Sequence, residues 1–330
     1  MNDVRTLREV FDSTFHNKLT FSDLTEIVVT DECKKIITKQ RTIYAPSEKL
    51  KKIHRFINGS ILEFGEYNKD VVFSYRKGVA IRDAVEKHAN NQYYFQTDIR
   101  NFFGSLDENI VKNVINNQLN EVPISDIDNY KELLFGLFTV ENIIPAGFST
   151  SPLLSNLCLF NFDNKLYEYC TKNSLTYTRY SDDIIISTND LEDTYPLESI
   201  VTKILKSEVG KKLSLNSKKT KVQSRNEKVK ILGFNILQNG IVTISSKEKN
   251  EVEILLNFYL SNLEKFDNYA KEKLKIKDRT GENKPTRELA ISSLSGRLIG
   301  INAMDKAYLS KLRRKYGNTL IDMFLRKSVK

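Results

Sequence analysis

The chain has 330 residues, 40% of them hydrophobic, with 51 Lys+Arg against 42 Asp+Glu and a net charge of +9. This is enough for two domains, or one large domain with an appendage, around a real core, and the basic excess suits a polyanionic partner. Three cysteines without a C-x-x-C pair and three widely spaced histidines (His16, His54, His88) argue against a zinc site, a disulfide framework and a catalytic triad. The N-terminus lacks a signal peptide's apolar core and no apolar run reaches membrane-spanning length, so the expectation is a soluble protein of a reducing cytoplasm, with no membrane partner. Residues 1–30 read as short amphipathic helices, with Leu7, Val10, Phe11 and Phe15 on one stripe. Residues 34–44 read as a strand or hairpin, and Glu48–Phe64 as a helix. Residues 93–99 form a strand in which Tyr94, Gln96 and Asp98 share one side and Tyr93 and Phe95 the other. A helix is expected to begin near Leu106. Residues 143–152 are a loop, with Ser151 as N-cap and Pro152 as first residue of a helix running through Leu166.

Thr176–Tyr180 and Ile184–Ile186 are rich in β-branched and aromatic residues, and the short polar break between them reads as a hairpin. Its tip holds Tyr180-Ser181-Asp182-Asp183, two adjacent carboxylates that repel each other unless a cation neutralises them. Hard divalent cations select carboxylate oxygen. Asp98 ends its own strand; if the two strands share one sheet, three carboxylates converge. Two metal ions about 3.5–4 Å apart at such a site stabilise the attacking and leaving oxygens of an in-line phosphoryl transfer. A helix follows near 195–210. Val229–Ile236 and Ile241–Ile244 flank Gln238-Asn239-Gly240 as a second hairpin. From about 246 the pattern becomes helical, interrupted by a Lys-rich stretch (271–287), which places a domain boundary near 244.

Phe95-Gln-Thr-Asp-Ile-Arg-Asn-Phe-Phe-Gly-Ser-Leu106, Gly147-x3-Ser151-Pro152-x2-Ser155-Asn156 and the YSDD tetrapeptide occur in that order. Together they resemble the palm of a reverse transcriptase of the bacterial retron and group II intron lineage. Arg41-Thr42-Ile43-x-Ala45-Pro46 resembles that family's fingers. Phe73-x3-Lys77-Gly78-x-Ala80-Ile81 resembles the segment before its first catalytic motif. Leu215-Asn216-x2-Lys219-Thr220 and Ile231-Leu232-Gly233-Phe234 resemble its later palm motifs and primer grip. The resemblance covers about residues 35–237 and implies an α+β right-hand polymerase. Fingers and palm with an antiparallel sheet would occupy 1–244 and a helical thumb 245–330.

The resemblance implies roles residue by residue. Asp98, Asp182 and Asp183 would hold Mg²⁺ (or Mn²⁺), with the Ile99 carbonyl as a further ligand. Phe103 falls where the family places an aromatic gate against a ribose 2′-hydroxyl, favouring dNTP substrates. Arg41 would contact the triphosphate. Lys219 would protonate the leaving pyrophosphate; as it stands among Lys211, Lys212, Lys218 and Lys221, a solvated basic face is the alternative.

Two features depart from the family. Its usual Pro-Gln-Gly loop is Pro145-Ala146-Gly147-Phe148 here, so the glutamine that packs on the incoming dNTP is absent, and Phe148 is expected to fill that space by stacking. The retron Asn-Ala-x-x-His element and later Val-Thr-Gly are also missing, which points to the compact reverse transcriptases of bacterial antiphage defence. Their expected partners are an RNA template or non-coding RNA, an RNA/DNA hybrid and a separate effector protein. Lys271, Lys273, Lys275, Lys277, Arg279, Lys284 and Arg287, then Lys311, Arg313, Arg314 and Lys315, suit phosphate contacts along the thumb. The alternatives are a retron enzyme making RNA-linked DNA, a template-independent or protein-primed polymerase, and a catalytically silent RNA-binding scaffold.

Overall fold

The computed structural model describes residues 4–38, 42–276 and 285–326. Arg41, Lys277, Arg279 and Lys284 lie outside the described residues. Packing divides the chain into two compact units, Met1–Val79 with Asn91–Gln223, and Ala80–Asn90 with Ser224–Lys330.

The first unit holds two sheets. Strands β1 (Cys33–Ile37) and β2 (Thr42–Pro46) form an antiparallel pair. The larger sheet is built from β3 (Tyr93–Asp98), β4 (Thr176–Tyr180), β5 (Asp183–Thr188) and β6 (Lys221–Ser224), in the order β4-β5-β3-β6. β3 and β5 are therefore the inner strands. Both faces of β3 are covered: Tyr94, Phe95, Thr97 and Asp98 are all buried, so the alternation expected from sequence gives two packed sides. Ile184, Ile185 and Ile186 on β5 are likewise at 2% exposure or less. The expected helix after Ala45-Pro46 runs Glu48–Ser60, started by the Ser47 side chain accepting from the Leu50 N–H, with a 3₁₀ turn at Leu62–Phe64.

The helix expected from Pro152 through Leu166 is two helices, Ser151–Cys158 and Phe160–Lys172, jointed at Leu159. Ser151 is the first helical residue, not the N-cap, which is Thr150. The reason is local: the Ser151 hydroxyl donates to the Pro145 carbonyl at 2.7 Å and so fastens the preceding loop to the helix start.

In the second unit, the helix Ile81–Lys87 joins a three-stranded antiparallel sheet of β7 (Val229–Ile231), β8 (Phe234–Ile236) and β9 (Val242–Thr243). Sequence patterning reads 229–236 as one strand. It breaks because Leu232 (φ 49°) and Gly233 (φ 91°) both adopt left-handed backbone, the pattern of a tight two-residue hairpin turn. Helices Ser246–Ser261, Thr286–Met304, Lys306–Tyr316 and Asn318–Arg326 follow, around a core that includes Ile244, Leu255, Leu294, Leu298, Leu312 and Phe324. Because β7–β9 pack with this unit, the division by packing falls at Gln223/Ser224, upstream of position 244. No helix among the described residues is long and apolar enough to cross a membrane.

Candidate active site

The antiparallel registers of β3, β4 and β5 bring the acidic residues together. Tyr180 pairs with Asp183 across β4–β5, leaving Ser181 and Asp182 as the two central residues of the hairpin. Only the first of these has a positive φ (Ser181, 60°), the pattern of a type II′ turn. Asp98 pairs with Asp183 across β3–β5, and directly opposed residues of a ladder project to the same face. The Ile99 N–H donates to the Asp182 carbonyl at 3.1 Å, and the Asn216 N–H to the Asp98 carbonyl at 2.9 Å. Three acidic residues from two strands and one turn are thus fixed by backbone bonding.

Below the turn lies a buried polar network that sequence reasoning missed. Arg179 is fully buried on β4. Its guanidinium makes a two-pronged contact with Asp163, Nε to Oδ1 at 2.8 Å and Nη2 to Oδ2 at 2.6 Å. Nη1 donates to Asn156 Oδ1 at 3.1 Å and to the Ser181 carbonyl at 2.9 Å. The Tyr177 hydroxyl donates to Asp163 as well, and burial beside that carboxylate holds its pKa well above the ordinary value. One buried cation therefore grips the turn, its charge matched by one buried anion. The sequence offered one signal, the charged Arg179 inside the β-branched and aromatic run Thr176–Tyr180; Asp163 is one of several charges in its helix and does not stand out.

Electrostatic stress concentrates at Asp183. Burial raises its pKa from 3.8 to about 6; Asp182 and Asp98 push the same way, and Lys219 pulls it down. Lys219 Nζ contacts Asp98 Oδ2 at 2.7 Å, an ion pair that raises the lysine's own pKa. Its side chain is 63% exposed but aimed at the carboxylates, so it is set apart from the solvated lysines around it.

Asp98 and Asp182 line a cleft of about 670 Å³, together with Ile99, Phe103, Ala146 and Lys219. Phe103 stands in the short helix Phe102–Ser105, its ring 5.2 Å from that of Phe102. Ala146 is held at the cleft wall because its carbonyl accepts from the Tyr44 N–H at 2.8 Å. The next residue must be glycine: Gly147 has φ 113°, and a Cβ there would stand 2.3 Å from the Tyr44 carbonyl oxygen. Phe148 corrects the sequence reading. It is 2% exposed and packs on the buried His54, ring centroids 4.7 Å apart, so it is a core residue and does not take the place of the missing glutamine. Burial pushes the His54 pKa down to about 4, which keeps that partner neutral.

The donor set suits a hard divalent cation. Asp98 Oδ1 is buried without a hydrogen-bond partner, and the mutual repulsion at Asp183 is what such an ion relieves. Among the described residues no group of three or more His, Cys, Asp or Glu side chains is placed to hold a metal ion by itself. An ion here would fill its shell with water or substrate oxygens, as Mg²⁺ ordinarily does.

An inner-strand acidic end facing an acidic hairpin turn, in an α+β framework, defines the palm of a right-hand polymerase. The sequence profile of the reverse transcriptase (RNA-dependent DNA polymerase) family matches residues 33–236, and the chain belongs to that family. It is an RNA-directed DNA polymerase. Similar proteins include the Retron Ec73 reverse transcriptase of Escherichia coli, 25% identical over 285 residues, covering 84% of this chain and 83% of that one. The Retron Ec83 reverse transcriptase of Escherichia coli is 23% identical over 85% of this chain and 84% of its own length. The missing Asn-Ala-x-x-His element therefore does not part this chain from the retron enzymes. Among solved structures, telomerase from Candida albicans in complex with a telomeric RNA fragment aligns with a TM-score of 0.47 at 13% identity, over 92% of this chain and 59% of the other.

Proposed function

We propose that the chain copies RNA into DNA by two-metal nucleotidyl transfer, with Asp98, Asp182 and Asp183 as the carboxylates and the Ile99 carbonyl as a further ligand. The observation that carries this reading is the pairing of Asp98 with Asp183 across β3–β5, next to Asp182 at the cleft. Bound Mg²⁺ or Mn²⁺ would supply a lowered pKa for the attacking hydroxyl and charge neutralisation for the pyrophosphate. Phe103 stands against the sugar of the incoming dNTP and rejects a 2′-hydroxyl. Lys219 exchanges its contact with Asp98 for the leaving pyrophosphate and delivers a proton there. Arg41 takes the triphosphate, and Ala146 leaves room where a glutamine side chain would reach the nucleotide. Residues 1–244 serve as fingers and palm, 245–330 as a thumb on the RNA/DNA hybrid.

Similarity to retron reverse transcriptases runs over more than four-fifths of their length. With the family resemblance it supports our reading of an associated non-coding RNA and a setting in antiphage defence with a separate effector protein, a product joined to that RNA being the alternative. The test is extension of a labelled primer on RNA by the purified protein with dNTPs and Mg²⁺. Asp182→Asn should lower incorporation by about 10³-fold or more, since one of the charge-stabilising groups is lost. Incorporation that survives in Asp182→Asn would overturn the proposal.

A further inference from the structure

Val71–Phe73 runs alongside β4. The Arg179 N–H donates to the Val71 carbonyl at 2.7 Å, and the Phe73 N–H to the Arg179 carbonyl at 3.0 Å. The buried Ser74 is tied down next, its carbonyl accepting from Asn156 Nδ2 at 3.0 Å. Tyr75 then adopts φ 59°, a left-handed backbone that costs an aromatic residue free energy. Its hydroxyl shares a 2.8 Å hydrogen bond with Ser181 Oγ, itself a left-handed residue at φ 60°. Two strained residues are thus clasped, one of them adjacent to Asp182.

A purely structural requirement at φ 59° is met best by Gly or Asn. Here the position keeps a tyrosine that is 39% exposed as a residue and lines the same cleft as Asp98, Asp182 and Phe103. Strain of this kind persists where the surroundings over-determine it, typically at ligand-handling sites. The reaction proposed above needs two nucleotides side by side at the carboxylates, one with the triphosphate and one with the 3′-hydroxyl. Phe103 serves the sugar of the first; Tyr75 is an aromatic side chain of the same cleft that hydrogen-bonds directly to the acidic turn.

Resting on that polymerase reading, we propose that Tyr75 contacts substrate: its ring packs on the nucleotide at the growing 3′ end, and its hydroxyl holds the Ser181–Asp182 turn in place. The experiment uses the full chain, a labelled DNA primer annealed to RNA, and the variants Tyr75→Leu, Tyr75→Phe and Tyr75→Gly. Tyr75→Leu should raise the Kd for primer–template about tenfold, the scale of one lost base–aromatic contact, and leave the dNTP KM within about twofold. Tyr75→Phe should keep the wild-type Kd and lower kcat severalfold, because only the hold on the turn is lost. Tyr75→Gly should bind as weakly as Tyr75→Leu yet melt at a higher temperature than that variant, since glycine removes the left-handed penalty. The proposal is overturned if Tyr75→Leu binds primer–template as tightly as wild type, or if the loss falls on the dNTP KM instead. Binding and melting are read without catalysis, so a wild-type protein that never extends a primer would sink the polymerase reading while these two measurements still judge Tyr75.

Discussion

Asp183 illustrates how a single carboxylate reports the purpose of its surroundings. Its pKa of about 6 against an ordinary 3.8 means that the folded, metal-free protein holds a proton there that the unfolded chain has released. The penalty is absent below about pH 4, grows through the interval and is complete above about pH 6. Because the group is partly solvated, the full penalty is about 1–2 kcal/mol. Asp183→Asn in chelator at pH 7 should therefore be more stable than wild type by that amount, with a flatter stability profile between pH 4 and 6; chemical denaturation across that range measures it, and added Mg²⁺ should shrink the gap. Phe103 makes a second prediction. Under the gate role proposed for Phe103, Phe103→Val should raise rNTP incorporation relative to dNTP by roughly 10²-fold, read from kcat/KM for the two. At this scale the sequence singled out Asp98, Asp182, Lys219 and Phe103 by residue type and motif, and all four line one cleft. It misled at Phe148, because an aromatic in a loop looks the same whether it faces a cleft or, as here, the buried ring of His54.

Between elements, the decisive contact is the Arg179–Asp163 pair, which ties β4 to the helix Phe160–Lys172 at the level of the turn. Removing one partner strands a buried charge, so Asp163→Ala should cost about 3–5 kcal/mol, whereas breaking an exposed pair such as Lys35–Glu141 should leave the melting temperature nearly unchanged. Thermal or denaturant melts of the two variants make the comparison. Strand identity was legible here from β-branched and aromatic runs. The partner of Arg179 was not, since it depends on how a helix settles on a sheet and leaves no periodicity of its own. The break at Leu232-Gly233 was hidden for a similar reason: apolar residues continue through it, and only backbone angles reveal the turn.

For the whole molecule, the net charge of +9 sets how nucleic acid is held. Affinity for RNA or RNA/DNA hybrid should fall by about 10³-fold between about 50 and 200 mM salt if some six phosphates are neutralised, and a log–log binding plot gives that number. A shallow slope would mean that stacking and shape dominate. The catalytic centre is also assembled from distant stretches of chain. Asp98 meets Lys219 across 121 positions, and Tyr75 meets Ser181 across 106. Such long-range closures form late, after local helices. A chain emerging from the ribosome will have made its first acidic residue long before the partners that give that residue its setting, so a half-synthesised chain lacks the assembled acidic site whatever RNA it encounters. The capacity to polymerise would arrive only once the polypeptide is synthesised past Lys219 and has closed on itself.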